Sequence, residues 1–159
     1  MNAIFDTLTL RDETEQDIAF LQQLYAQTRA TEMAYFPWTD DQKNVFLTMQ
    51  FDLQRRHYHE NYPDTEFAII LLDNKPVGRW YLQRKADNFH LIDISLLADY
   101  CNQGIGSYLL KNLIADGQKQ QKTVHLYVET TNPALRLYQR LGFIAVEECG
   151  FHWLMEWIA

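Results

Sequence analysis

The stretch DYCNQGIGSYLL, residues 99–110, places two glycines at the start of an apolar helical pattern. It follows FHLIDISLL, residues 89–97, whose few polar interruptions are typical of a buried strand. A helix N-terminus carries unpaired backbone N–H groups and the positive end of the helix dipole, and glycines let a ligand approach the backbone closely. The stretch therefore predicts a strand, a turn able to bind phosphate, and a helix.

Two common phosphate-binding motifs do not fit this turn. The dinucleotide-binding fingerprint requires a third glycine after Gly106, and Leu109 stands at that position. A P-loop requires a lysine followed by Ser or Thr, whereas Gly106 is followed by Ser107 and Tyr108. The turn alone leaves open both another phosphate site and an ordinary, tightly packed helix start.

A second motif, NPALRLYQRLGF (132–143), comes one predicted strand later. Asn132 and Pro133 suit the beginning of a short helix, and Gly142 suits the left-handed position after its end. Together the two segments resemble the GNAT superfamily of N-acetyltransferases, whose members bind acetyl-CoA. The matched positions are Cys101, Asn102, Gln103, Gly104, Ile105 and Gly106 in the first family signature, and Asn132, Leu137, Tyr138, Leu141, Gly142 and Phe143 in the second.

The resemblance covers nearly the whole chain in the order of its predicted elements and implies a coenzyme site. The family usually has Gln or Arg at the position of Cys101 and often Gly at that of Asn102. Because its members hold the coenzyme pyrophosphate mainly through backbone N–H groups, acetyl-CoA binding is expected to survive these departures. The residues implied to contact the coenzyme are Leu96, Leu97, Cys101, Asn102, Gln103, Gly104, Ile105, Gly106, Ser107, Asn132 and Tyr138.

The resemblance further implies direct acetyl transfer to an amine. Backbone groups of Leu96 and Leu97 are expected to hydrogen-bond the pantetheine arm, and an N–H there to polarise the acetyl carbonyl. Tyr138 is the expected general acid for the departing thiolate, and it fits a core position beside Leu135 and Leu141 equally well. Both roles can hold together.

The general base is less well specified than the acid. Glu129 is the first candidate because it ends a predicted strand near the expected separation of two strands. Asp93 is the second, since burial within an apolar strand raises the pKa of a carboxyl group. His90, near the position at which other family members carry a strand glutamate, is the third. A structural hydrogen bond or a solvated strand end remains the alternative for each.

The remaining patterns predict a mixed α/β fold, with about seven strands and about four helices around a mostly antiparallel sheet, in one N-acetyltransferase domain over residues 1–159. The predicted strands are IFDTLTLRD (4–12), EFAIILL (66–72), VGRWYLQ (77–83), FHLIDISLL (89–97), TVHLYVE (123–129), GFIAVEE (142–148) and FHWLMEW (151–157). The predicted helices span 14–30, 40–60, the segment after Gly104, and the segment after Asn132. DNKP (73–76) is predicted to form a hairpin turn.

Apolar side chains recur at helical spacing in two of these helices. In residues 40–60, Val45, Phe46, Met49 and Leu53 fall on successive turns. In the helix after Gly104, one side carries Ile105, Leu109, Leu110, Leu113 and Ile114. Both patterns predict amphipathic helices.

Composition limits the partners. A formal net charge of −7 disfavours nucleic acids and anionic membranes, because binding phosphate requires clustered Lys and Arg. The two cysteines form no disulfide framework, and the N-terminal residues lack a signal-peptide pattern, so the cytoplasm is the expected location. A metal is not expected, because His57 and His59 diverge on a helix.

The predicted function is therefore acetyl-CoA-dependent N-acetylation of a primary amine on a small molecule or peptide. The segments YFPWT (35–39) and RRHYHENYP (55–63) are candidates for an aromatic wall of the amine pocket, with core packing as the alternative. The apolar residues of the last strand fit a homodimer or core burial. A coenzyme-A-binding domain without catalysis is the alternative function.

Overall fold

The structure is a computed structural model that describes residues 3–158. Its seven strands are β1 (Leu8–Asp12), β2 (Thr65–Leu72), β3 (Lys75–Arg84), β4 (Asn88–Leu96), β5 (Thr123–Glu129), β6 (Ile144–Cys149) and β7 (His152–Trp157). Its four α-helices are α1 (Ile18–Met33), α2 (Asp40–Asn61), α3 (Ile105–Gln120) and α4 (Leu135–Arg140). Short 3₁₀ turns span Ala3–Thr7, Glu15–Asp17 and Ala98–Tyr100.

The strands form one sheet in the order β1-β2-β3-β4-β5-β7-β6. Strands β4 and β5 pair in parallel, whereas β1 with β2, β5 with β7, and β6 with β7 pair antiparallel. The helix α3 connects the two parallel strands, as a crossover connection requires. The predicted mixed α/β class and its numbers of strands and helices are confirmed.

The chain divides into two compact units, each with its own apolar interior. The first unit comprises Met1–Trp80 and Ser95–Cys101, and the second comprises Tyr81–Ile94 and Asn102–Ala159. In the first, the central buried cluster contains Leu21, Tyr25, Phe51, Ile69 and Leu71. In the second, the buried apolar residues include Leu110, Leu113, Val124, Leu126, Phe143 and Met155.

The first strand is shorter than the sequence pattern predicts. Residues 4–7 belong to a 3₁₀ turn, and β1 begins at Leu8, which pairs with Leu72. At that point β2 ends, because Asp73 and Asn74 both adopt left-handed backbone conformations (φ 52° and 63°) in the hairpin turn. The hairpin predicted at residues 73–76 is therefore confirmed, and it also limits the length of β1.

The two predicted amphipathic helices differ in which face they bury. Helix α3 buries Ile105, Leu109, Leu110 and Leu113, as its pattern predicts. Helix α2 buries Phe51, and Leu47 packs partly against the same cluster. Its predicted apolar face is instead exposed at Val45, Met49 and Leu53.

Candidate active site

The glycine turn leads into α3 without a side-chain cap. Gly104, the residue before the helix, has φ 87°, a conformation that glycine adopts without a steric penalty, and Asn102 also has a positive φ of 60°. Gly104 has no side chain and so provides no side-chain cap for the helix. The first N–H groups of an α-helix have no acceptor within the helix, so those of Ile105, Gly106 and Ser107 are suited to an anion.

Gly106 is not required by packing within the second unit. A Cβ atom built at this position would lie 3.8 Å from the Ile94 side chain, an ordinary van der Waals distance. Gly106 does not have a positive φ, so its backbone conformation does not require a glycine either. A glycine here leaves space beside the helix start, which fits close approach of a ligand to the backbone.

The end of β4 in the first unit has its own hydrogen bonds. The N–H of Leu97 donates to the carbonyl of Val77 at 2.8 Å, and the N–H of Ala98 donates to Oε1 of Gln27 at 2.8 Å. Gln27 was not expected at the site, since nothing in the α1 pattern distinguishes it. These bonds fix the backbone that follows Leu96.

Cys101 occupies the turn after these residues, where the family usually has Gln or Arg. Its Sγ lies 3.6 Å from the carbonyl oxygen of Leu96 and 3.6 Å from that of Leu97. Although the residue as a whole is exposed, partial burial raises the pKa of its thiol. The thiol is therefore a neutral hydrogen-bond donor to the backbone at neutral pH.

Tyr138 lies on α4 and is only 7% exposed. Burial, and to a lesser degree the nearby charge of Asp93, raise the pKa of its phenol to about 12. Its ring packs edge-on against Phe143, with centroids 5.9 Å apart. The phenol is therefore protonated at neutral pH, and the ring is at the same time part of the core of the second unit.

Asn132 shapes the segment before α4. Its Oδ1 accepts a hydrogen bond from the N–H of Ala134 at 2.9 Å, and its carbonyl accepts one from Leu135 at 3.1 Å. Asn132 therefore closes a turn before the helix. The N-cap position is held by Ala134, which makes no side-chain cap, so the predicted helix start at Asn132 and Pro133 lies two residues too early. The left-handed Gly142 (φ 100°) follows the helix, as predicted.

Three candidate bases lie on β4 and β5 in the second unit. Glu129 ends β5, is partly buried, and pairs in register with His152 of β7. Asp93 lies close enough to Tyr138 for its charge to act on that phenol. His90 is buried, and its environment lowers its pKa to about 4, first through burial and then through the charges of Lys85 and His125.

Around His90 the structure places residues that the sequence analysis did not single out. His125 pairs in register with His90, and the Tyr127 ring lies 5.6 Å from the His90 ring in an edge-on arrangement. The alternation in TVHLYVE was the available signal, since it puts His125, Tyr127 and Glu129 on one face and buries the residues between them.

The parallel pairing of β4 with β5 runs from Asn88 and Thr123 to Leu91 and Leu126. Both strands continue for several residues beyond this pairing within the described chain, β4 to Leu96 and β5 to Glu129. Asp93 and Glu129 lie in these continuations. The pairing thus ends before either residue is reached, and a separation of the strands at Glu129 stays a prediction.

The aromatic segments of the first unit form two groups. Phe36 stacks on Trp38 at 4.8 Å between centroids, and Trp38 meets Phe46 edge-on at 5.2 Å. Near the end of α2, Tyr58 packs edge-on against Tyr62 at 6.3 Å, and the buried Arg79 guanidinium lies 6.0 Å from the Tyr58 ring. Aromatic faces of this kind can bind cations or apolar chains.

Two features are absent from the part of the chain that the structure describes. No group of three or more His, Cys, Asp or Glu side chains in residues 3–158 is placed to hold a metal ion. None of the helices described is both long and apolar enough to cross a membrane.

Comparisons with known proteins give a family and a fold. A sequence profile of the acetyltransferase (GNAT) family matches residues 19–143. A comparison with curated proteins finds no match. Among solved structures, the PaiA N-acetyltransferase of Thermoplasma acidophilum in complex with coenzyme A shares 18% identity and has a TM-score of 0.71, with 96% of this chain and 99% of that chain covered.

Two further structures hold informative ligands. A GNAT family acetyltransferase of Elizabethkingia anophelis with bound acetyl-CoA is 17% identical, with a TM-score of 0.62 over 97% of this chain and 99% of that chain. Naa50 of Arabidopsis thaliana in complex with the bisubstrate analogue CoA-Ac-MVNAL is 18% identical, with a TM-score of 0.58 over 94% and 97%. At these identities the likeness is one of fold.

Proposed function

Because the chain belongs to the acetyltransferase (GNAT) family, we propose that it transfers an acetyl group from acetyl-CoA directly to a primary amine on a small molecule or peptide. The observation that carries this proposal is the place of Tyr138, which is buried on α4 at the tyrosine of the second motif, near Asp93 of β4. A group that stays protonated at neutral pH can donate to a departing thiolate.

The turn before α3 is proposed to bind the coenzyme pyrophosphate. The left-handed Gly104 directs the chain into the helix, and the side-chain-free Gly106 leaves room for the ligand. The N–H groups of residues 105–107 then supply hydrogen-bond donors at the positive end of the helix dipole. The fold neighbours from Thermoplasma and Elizabethkingia hold coenzyme A and acetyl-CoA, which supports this ligand.

The backbone of Leu96 is proposed to polarise the acetyl carbonyl. The N–H of Leu97 already donates to Val77. Successive residues of an extended strand direct their N–H groups to opposite edges, so the N–H of Leu96 points away from β3. Of the two amides implied by the family resemblance, that of Leu96 is therefore the better donor for a developing oxyanion.

Tyr138 is proposed as the general acid and Glu129 as the general base. Bound acetyl-CoA supplies the activated thioester. Glu129 removes a proton from the attacking ammonium or amine, and Tyr138 donates its proton to the thiolate sulfur. Asp93 raises the pKa of Tyr138, and it is the second candidate base. His90, which is neutral above a pH of about 4, is the third.

A covalent acyl-enzyme through Cys101 is disfavoured. The nucleophilic form of cysteine is the thiolate, and burial raises the pKa of this thiol. Its sulfur is also directed at two backbone carbonyls. Direct attack by the amine needs no such intermediate.

The proposal is tested by thiol release from acetyl-CoA with a panel of amines that includes polyamines, aminoglycosides, amino acids and short peptides. The decisive variant is Tyr138→Phe, which keeps the ring and removes the proton donor. We expect kcat to fall about 100-fold or more. Tyr25→Phe is the matched control, because Tyr25 is also a buried tyrosine but lies in the cluster of the first unit.

The two alternatives give distinct results. If coenzyme A binds but no amine is acetylated, the chain is a coenzyme-binding domain. If Tyr138→Phe retains full turnover, the assignment of the general acid is wrong. If coenzyme A produces no thermal shift, both the enzyme and the binding-domain proposals fail.

A further inference from the structure

Gly78 of β3 is a glycine that the close approach of the neighbouring strand requires. A Cβ atom built at this position would collide with the carbonyl oxygen of Ser95, and it would lie 2.9 Å from Cδ2 of Leu96 and 3.2 Å from Cδ1 of Ile70. The φ of Gly78 is not positive, so its backbone conformation does not require a glycine. The requirement is one of space, and the space is taken by a backbone oxygen of β4.

The place of the Ser95 carbonyl determines the direction of the next amide. In a planar trans peptide the C=O and the N–H that follows it point in opposite directions. Because the Ser95 C=O is directed at Gly78 of β3, the N–H of Leu96 points away from β3. The hydrogen bond from Leu97 to Val77 gives the same direction for this amide, and it is an independent observation.

Gln27 of α1 holds the residues that follow Leu96. Its Oε1 accepts the N–H of Ala98 at 2.8 Å. Ala98 begins a 3₁₀ turn, and Leu97, which precedes that turn, makes no side-chain cap. Gln27 therefore supplies an acceptor for an amide at the start of this turn. The segment from Ser95 to Ala98 is held by two elements of the first unit, β3 and α1.

We propose that Gly78 and Gln27 are positioning residues for acetyl transfer. The missing side chain of Gly78 and the amide oxygen of Gln27 hold the Ser95–Leu96 peptide so that its N–H is directed at the acetyl carbonyl. The proposal rests on the role proposed for the Leu96 amide and extends it to the residues that orient this amide. A donor that is oriented before the reaction needs no reorganisation when the oxyanion develops, so its direction affects kcat.

The alternative is that Gly78 serves folding alone. Gly117 of α3 provides the matched control for this alternative, because a Cβ atom there would lie 2.9 Å from the backbone carbonyl oxygen of Lys122. Both glycines therefore make room for a backbone carbonyl. Gly117 lies in the second unit, and the carbonyl beside it belongs to a residue outside the candidate site.

The first test compares Gly78→Ala with Gly117→Ala, using an amine that the wild-type protein acetylates. We expect Gly78→Ala to lower kcat about 100-fold, the effect of losing one oxyanion donor. Its Kd for coenzyme A, which has no acetyl group, should stay within about twofold of the wild-type value. Gly117→Ala should lower the thermal midpoint and leave kcat within about twofold. Circular dichroism establishes that both variants fold.

A second variant acts on the same peptide without adding an atom beside β4. Gln27→Met keeps the approximate length of the side chain and removes the amide oxygen that accepts the Ala98 N–H. We expect kcat to fall about tenfold, with the Kd for coenzyme A unchanged. Gln23→Met is the matched control, because Gln23 is an exposed glutamine one turn earlier on the same helix. Should Gly78→Ala not fold, this pair of variants carries the test.

The second test requires binding of acetyl-CoA but no turnover. NMR spectra with acetyl-CoA labelled at the acetyl carbonyl carbon report on both partners of the proposed hydrogen bond. In the wild-type protein, acetyl-CoA should move the Leu96 amide proton downfield relative to coenzyme A, and the bound carbonyl carbon should also move downfield. Both shifts should be reduced in Gly78→Ala and Gln27→Met and retained in the two control variants.

The outcomes separate this proposal from the proposed function. If acetyl-CoA binds but neither resonance moves, or if Gly117→Ala lowers kcat as much as Gly78→Ala, the positioning role is wrong and acetyl transfer still stands. If both resonances move as expected but no amine is acetylated, the peptide is oriented as proposed and the transfer activity is wrong. If acetyl-CoA does not bind, both proposals fail.

Discussion

Helices α2 and α3 differ in how their N-termini are capped and in whether their apolar side chains are buried. At the start of α2, the Thr39 hydroxyl accepts the Gln42 N–H at 3.2 Å, and the Gln42 amide oxygen accepts the Thr39 N–H at 3.0 Å. At the start of α3, Gly104 holds the N-cap position and has no side chain that could do this. Conversely, α3 buries its apolar face, whereas α2 exposes Val45, Met49 and Leu53.

The two helices therefore differ in which of their groups are bonded or buried within the fold. The capping box of α2 bonds backbone donors at its start, and Val45, Met49 and Leu53 on its surface are exposed to water. Helix α3 buries its apolar face, and the N–H groups at its start are the ones proposed to bind the coenzyme.

The largest expected effect on the free energy of unfolding comes from the buried apolar face of α3. Leu110→Ala on α3 removes a side chain that is 1% exposed, and we expect a loss of about 2–5 kcal/mol in the free energy of unfolding. Leu53→Ala on α2 removes a side chain that is 49% exposed, and we expect a loss of less than about 0.5 kcal/mol. Urea denaturation measures both. Equal losses would mean that Leu53 is buried in solution.

The hydrogen bonds at the start of α1 are expected to stabilise the folded chain. Before α1, Asp17 accepts the Thr14 N–H at 2.8 Å and binds Arg11 through two bonds of 2.8 Å. The hydrogen bonds from Arg11 are the main reason that the pKa of Asp17 falls from 3.8 to about 2. Because the Arg11 side chain is 39% exposed and thus screened by solvent, Asp17→Asn should cost between about 1 and 2 kcal/mol.

The pH dependence of this contribution has a definite sign. The carboxyl group binds its proton more weakly in the folded than in the unfolded chain. Its stabilising effect is therefore complete above a pH of about 4 and is lost as the pH falls toward 2. Thermal unfolding at pH 2, 3, 4 and 6 should show the wild-type advantage over Asp17→Asn shrinking across this range. An advantage independent of pH would contradict the ion-pair explanation.

The start of α3 should affect ligand binding without affecting folding. Gly106→Ala adds a Cβ atom that the protein accommodates, and alanine favours helix. We expect stability to be unchanged or slightly higher and coenzyme A affinity to fall about tenfold or more, which is about 1.4 kcal/mol. Calorimetric titration with coenzyme A measures the affinity. Unchanged affinity would mean that the pyrophosphate does not approach this backbone.

A substitution at the start of α2 should lower stability and leave coenzyme A affinity unchanged, and its effect is the smallest of those predicted. Thr39→Ala removes the hydroxyl of the capping box, and we expect a loss of about 1 kcal/mol in stability. Coenzyme A affinity should not change, because these donors serve the helix alone. A weakened affinity in this variant would show that the two starts are not functionally distinct.

Local patterns predicted most of the fold. The alternation in residues 123–129 matched β5 to its ends, and the turn residues at 73–74 produced the hairpin. The face of α2 could not be predicted, because periodicity shows which residues share a side but not whether the core or water lies against it. The late start of β1, at Leu8, depends on where β2 ends, which is a property of the pairing and not of β1 itself.

For the candidate site, the sequence motifs predict the glycine turn and Tyr138, since each motif depends on residues close in sequence. Their roles stay predictions. The ring contact of His90 with Tyr127, and the charge of Asp93 acting on Tyr138, join residues more than 35 positions apart. Such contacts depend on strand register and helix placement, which a single sequence does not specify.

The hydrogen bond from Leu97 to Val77 gives two adjacent amides different hydrogen-exchange behaviour. The Leu97 amide is bonded within the protein and should exchange slowly with or without ligand. The neighbouring Leu96 amide points to the other edge of the strand and should be slowed only when a ligand carbonyl accepts its hydrogen bond. One amide therefore serves as an internal reference for the other, so that occupancy of the site can be followed by deuterium uptake in the unmodified protein.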